Sequence, residues 1–208
     1  MAFTSVAEID TLASVNFALF PYCDADGPFL IGRGKGQEAR SDLERAVSSQ
    51  QAGTEPVCID FAGVKGVSVP FANAFFVPLL SPRVVSGYYG EHPVVVTHAD
   101  PDVAETLEAV LRQSNLAVVA LSVDPQAELL GGEPSLRETL RAAAAMGEFS
   151  AQQLAQLLGL TAPAANNRLK QLVQLGALIR VPFVPSRGGR EYRYRVPRPS
   201  KDLFDDAD

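Results

Sequence analysis

The chain has no tryptophan, two cysteines and two histidines among its 208 residues. Cys23 and Cys58 are far apart in sequence and neither belongs to a C-x-x-C, so with only His92 and His98 to join them the spacing of a structural zinc site is missing. Cys58, inside the apolar run 57–61, reads as a small buried hydrophobe. Long apolar runs are missing too. The longest, residues 116–121, is too short to cross a bilayer, and residues 1–11 carry two acids, no base and no hydrophobic stretch. No membrane contact and a cytoplasmic location are therefore expected. What remains, 47% hydrophobic and 20% charged residues, is the composition of a globular protein with a core rather than of a disordered one.

Charge is informative once it is divided along the chain. Residues 1–132 hold 7 basic against 16 acidic residues, a net −9. Residues 133–199 hold 10 against 4, a net +6, and residues 200–208 form an acidic tail of net −3. The overall −6 thus hides a basic module behind an acidic one, and within a Debye length of about 10 Å the local sign decides what is attracted. Turn signals fall at the same boundary: Asp124-Pro125 and then Gly131-Gly132-Glu133-Pro134 separate a buried strand at 116–123 from renewed helical periodicity. This predicts four parts: an α/β domain at 1–123, a linker at 124–134, a second domain at 135–199 and the tail at 200–208.

In the basic module a helix over 136–146 stops at Gly147. Ser150 and Gln153 have the spacing of a capping box and Phe149 that of a hydrophobic staple to Leu154, so a short second helix starts there and ends at Gly159. Thr161 or Ala162 caps a third helix, which tolerates Pro163 in its first turn and closes at Gly176. Ala165, Leu169 and Leu172 form its buried stripe. Pro163, Asn167, Lys170 and Gln174 point away, flanked by Asn166 and Gln171, and with Arg168 they make a polar surface that has no acid. Asn and Gln can bond adenine bidentately and Lys reaches guanine or phosphate, which is the chemistry of a major-groove reader. Two strands, 177–184 and 191–196, flank the tip Pro185-Ser186-Arg187-Gly188-Gly189-Arg190, where Arg187, Gly188 and Arg190 are candidate DNA contacts. Arg193 joins them, since Arg193 and Arg195 alternate with Tyr192, Tyr194 and Val196.

Helix, Gly159-Leu160-Thr161 turn, Leu169-Lys170-Gln171-Leu172-Val173-Gln174-Leu175-Gly176-Ala177-Leu178-Ile179, then Arg-Gly-Gly-Arg and Tyr-Arg-Tyr resembles the winged helix-turn-helix domains of bacterial transcriptional regulators over residues 135–197. The resemblance implies docking on duplex DNA.

The acidic part alternates strand and helix: strands at 15–20 and 29–32, a helix at 37–50, a strand at 56–61, a helix at 71–80, a strand at 93–97 and a helix from Asp100-Pro101-Asp102 to Gln113. That order predicts a mainly parallel sheet with helices against it. Together with Val57-Cys58-Ile59-Asp60-Phe61-Ala62-Gly63-Val64 and Val67-Ser68-Val69-Pro70-Phe71-Ala72-Asn73, it resembles the STAS-like domains, relatives of the anti-sigma factor antagonists, over residues 14–123. The resemblance implies a switch that senses a ligand or binds a protein partner. It also implies a regulatory role for Ser68, which stands where the antagonists are phosphorylated.

Enzyme motifs are sparse. Gly32-Arg33-Gly34-Lys35-Gly36 is a Gly-rich basic stretch before a helix, but it is neither G-x-x-x-x-G-K-[ST] nor G-x-G-x-x-G. No G-x-S-x-G occurs, and His92 and His98 flank a strand without a nucleophile beside them. The expectation is a regulator rather than an enzyme, without cofactor or metal, with duplex DNA and a protein partner as its contacts and a homodimer as its assembly. The alternative is a protein–protein adaptor of a partner-switching pathway that does not bind DNA.

Overall fold

The computed structural model describes residues 15–48, 55–85, 92–122, 126–183 and 191–199. It is an α/β protein built on a five-stranded sheet in the order β1-β3-β5-β6-β7. Strands β1 (Val15–Ala18), β3 (Val57–Asp60), β5 (Val94–Thr97) and β6 (Ala117–Leu121) run parallel, and β7 (Ala127–Gly131) closes the edge antiparallel to β6. The inner strands β3, β5 and β6 are mostly apolar on both faces because both are covered. Val57, Ile59, Val94, Val96 and Val118 face one core, with α1 (Arg33–Ser48), α2 (Val69–Val85) and α3 (Pro101–Gln113). The alternate residues Cys58, Val95, Ala117, Val119 and Leu121 face a second core, shared with α4 (Pro134–Met146), α5 (Ala151–Leu158) and α6 (Ala162–Gln174). Period two in the strands thus divides one sheet between two helical layers.

Two smaller sheets complete the fold. β2 (Phe29–Leu30) pairs in parallel with β4 (Gly66–Val67), and β8 (Phe149–Ser150), β10 (Glu191–Arg195) and β9 (Ile179–Phe183) form a sheet in that order. The run expected as a strand at 29–32 therefore belongs not beside β1 but to its own two-residue ladder.

The expected linker at 124–134 contains β7 instead of a free connection. Ala127 and Leu129 are buried in the second core while Leu130 is buried in the first, so this short strand is anchored on both faces. Gly131 ends it at φ +78°, where a Cβ would lie 2.2 Å from the Leu116 carbonyl oxygen, so only glycine makes this turn against β6. A second difference is the start of α1. The helix begins at Arg33, which places Gly34, Lys35 and Gly36 in its first turn rather than in a loop. Gly36 is the point of closest approach to α2, since a Cβ there would lie 2.6 Å from the Phe71 carbonyl oxygen. Among the described residues no helix is long and apolar enough to cross a membrane.

Candidate nucleic-acid interface

The sequence signals between Phe149 and Gly176 correspond to local structure residue by residue. The Ser150 hydroxyl accepts from Gln153 N at 3.3 Å and the Gln153 side chain accepts from Ser150 N at 2.8 Å, closing the capping box at the start of α5. Gly159, in the left-handed conformation, ends that helix. Thr161 then caps α6, its Oγ1 accepting from Ala164 N. At the far end the Ala177 and Gly176 amides donate to the carbonyls of Leu172 and Val173, the paired bonds of a Schellman ending.

These devices hold α6 with Ala165, Leu169 and Leu172 fully buried, and the opposite surface follows from that. Pro163, Asn166, Asn167, Lys170 and Gln174 are exposed and Gln171 is half-buried. Arg168 is half-buried too, and its Nη1 donates to the Ser135 carbonyl at 3.4 Å, to Thr139 Oγ1 at 3.2 Å and to Glu138 Oε2 at 3.4 Å, so it joins α6 to α4. Its position three residues after Ala165 and four before Leu172 is the signal that places it beside the buried stripe.

On the β9–β10 ladder Tyr194 stacks toward Phe149 with ring centroids 6.0 Å apart, which ties the hairpin to the core. Arg180 lies over the Tyr192 ring at 4.2 Å and Arg193 over the Phe183 ring at 4.5 Å. Arg193 Nε is buried and finds no hydrogen-bond partner among the described residues. Arg187, Gly188 and Arg190, with the rest of the expected hairpin tip, lie outside the described residues, as does the acidic tail 200–208.

Ion pairing divides the cations of this module into two sets. Arg137 bonds Glu108, Arg141 bonds Glu128 and Arg168 bonds Glu138. Lys170, Arg180, Arg193 and Arg195 have no acidic partner among the described residues, and they occupy α6 and the β9–β10 ladder. The arginines of α4 thus have acidic partners within the chain, while Lys170, Arg180, Arg193 and Arg195 keep their field for an external anion.

Ser68 lies on the other side of the sheet. Its hydroxyl accepts from Phe71 N at 3.4 Å as the cap of α2 and from Gly32 N at 3.2 Å, so it also fastens the connection before α1. Sequence reasoning did not find the pairing of Asp60 with His98, whose Nδ1 lies 2.8 Å from Asp60 Oδ1 at the ends of β3 and β5. The two are 38 residues apart, and only the register that sets Asp60 opposite Thr97 brings them together. Compared with known proteins, the chain matches no family model, no curated protein and no solved structure.

Proposed function

We propose that the chain is a DNA-binding transcriptional regulator. In this reading residues 135–199 act as a winged helix-turn-helix on duplex DNA, and the preceding part acts as a STAS-like module that senses a signal, binds a partner or dimerises. The element order α4, β8, α5, α6, β9, β10 with a sheet ordered β8-β10-β9 supports it, because a capped helix is followed in the chain by a two-stranded cationic ladder. The observation that carries it is the division of cations: those of α4 are paired internally, whereas among the described residues Lys170 of α6 and Arg180, Arg193 and Arg195 of the β9–β10 ladder have no acidic partner. Phosphate contacts by such groups position the protein, and Asn166, Asn167 and Gln174 offer base-reading amides.

The test is a salt titration of full-length chain on random duplex DNA. Affinity is expected to fall linearly on logarithmic axes, and Lys170→Ala to lower the magnitude of the slope by about one. Asn167→Ala is expected to cost about 1–3 kcal/mol on a selected site and less on random sequence. Absence of salt-dependent binding overturns the reading. The adaptor reading then takes its place, and one observation favours it: Phe20, Phe29, Ile31 and Val69, in and beside the β2–β4 ladder, are each about half exposed, between 47% and 52%.

A further inference from the structure

A cavity of about 740 Å³ lies at the carboxyl ends of β5 and β6. Crevices beyond the carboxyl ends of parallel strands are where α/β sheets hold ligands, and the volume falls within the ~300–1,000 Å³ of small-molecule sites. Much of its apolar lining is alanine, Ala104 of α3, Ala120 of β6, and Ala144 and Ala145 of α4, with Leu121 and Leu130 beside them. Side chains as short as alanine leave room for an apolar body against them.

The polar lining is His98, Ser122, Gln126, Glu128 and Arg141. His98 lines the cavity, and its ring is set by Asp60, whose Oδ1 also accepts from Ala62 N at 2.9 Å. A carboxylate only accepts, so the proton between them resides on Nδ1 and the ring orientation is fixed. His98 also holds φ +52°, a conformation that non-glycine residues adopt rarely. Arg141 also lines the cavity, bonded to Glu128 Oε1 at 3.0 Å. Both partners are more than half exposed, 65% and 56%, so this pair is worth little in water and its guanidinium can exchange Glu128 for an anion seated in the cavity.

The geometry points to a binding site for a small planar carboxylic acid, its apolar body between the alanines of β6, α3 and α4, its carboxylate on Arg141 and its ring edge against His98. The site stands whether or not the chain binds DNA. It would supply the sensing function with a ligand class, namely small aromatic acids.

The probe is 2-naphthoate, titrated into full-length protein by calorimetry, with 2-naphthamide and acetate as controls for charge and for the apolar body. One-to-one binding with Kd at or below about 1 mM is expected, at least tenfold weaker for the amide and undetectable for acetate. Arg141→Gln is expected to weaken naphthoate at least tenfold. Ala145→Trp, at an exposed position on α4 that lines the cavity, is expected to abolish binding by taking up the space beside Ala144, with the far-ultraviolet spectrum and Tm showing that the variant is folded. Proton NMR supplies an independent readout, because only two histidines are present and His92 sits at the opposite end of β5, near the Glu55 carbonyl. Naphthoate should move the ring signals of His98 and leave those of His92. No saturable binding, equal binding by folded Ala145→Trp, or no movement of the His98 signals overturns the site. Equal binding of amide and acid overturns the ligand class.

Discussion

At the scale of single residues, two glycines two positions apart in α1 carry opposite obligations. Nothing approaches the place where a Cβ on Gly34 would stand, whereas a Cβ on Gly36 would meet the Phe71 carbonyl oxygen at 2.6 Å and the Ala74 Cβ at 3.1 Å. Gly34→Ala therefore only removes the conformational freedom of glycine from a helix, and stability is expected to rise by up to about 1 kcal/mol. Gly36→Ala has to push α1 off α2, and a loss of about 1–3 kcal/mol is expected. Urea midpoints of the two variants measured against the parent chain decide this, and the same sign for both would mean that the two helices are not in contact at Gly36. The sequence marks both residues only as parts of a Gly-rich stretch before a helix. It cannot distinguish them, because the need for glycine at position 36 lies on another helix. Arg168 is the converse case, since its place beside the buried stripe follows from helical spacing alone, and its bonds to α4 account for why it is not exposed with Lys170.

At the scale of elements, the legible ones announce themselves within a few residues and the illegible ones depend on partners. The capping box at Ser150 and Gln153, the Thr161 cap and the Gly176 ending are local hydrogen-bond devices, and each was readable from the chain. β4 and β8 have two residues each and exist only through pairing with β2 and β10. β7 hid because turn residues bracket it, which reads as a linker until its pairing with β6 is known. The joint that holds β7 against α3 and α4 is Glu108. Its carboxylate accepts from Gly131 N, from Arg137 and, at 2.7 Å, from Arg112. Burial alone would raise its pKa, but the Gly131 amide and the Arg137 guanidinium outweigh burial and hold the carboxyl below its ordinary value. A carboxyl whose pKa is depressed by folding stabilises the fold fully above the unfolded value, near 4.3, and loses that contribution as pH falls through the folded one. Glu108→Gln is thus expected to cost about 1–3 kcal/mol at pH 7, with the gap to the parent chain narrowing from about pH 5 downward. Denaturation midpoints at intervals between pH 7 and pH 3 measure it, and a gap that stays constant would remove ionised Glu108 from the joint.

At the scale of the whole molecule, the contrast between an acidic first part and a basic second part is used inside the fold. Arg137 and Arg141 of the basic part bond Glu108 and Glu128 of the acidic part, across the boundary that the charge count marks. The second core is shared in the same way. Cys58, Val95, Ala117, Val119, Leu121, Ala127 and Leu129 from the sheet enclose it on one side, and Leu136, Leu140, Phe149, Leu154, Leu169 and Leu172 on the other. Each of those large side chains gains about 1.5–3 kcal/mol from burial, a gain that requires both sides to be present. The chain is therefore expected to unfold in one cooperative transition, with calorimetric and van't Hoff enthalpies equal. Residues 133–199 produced alone would expose one wall of that core while lacking the strands that cover it, in a chain short enough to be marginal in any case. The fragment is expected to show no cooperative melt and to bind apolar dyes. Two resolved transitions in the full chain, or a fragment that melts cooperatively and leaves apolar dyes unbound, would show instead that the sheet only adjoins the basic part and contributes nothing to its stability.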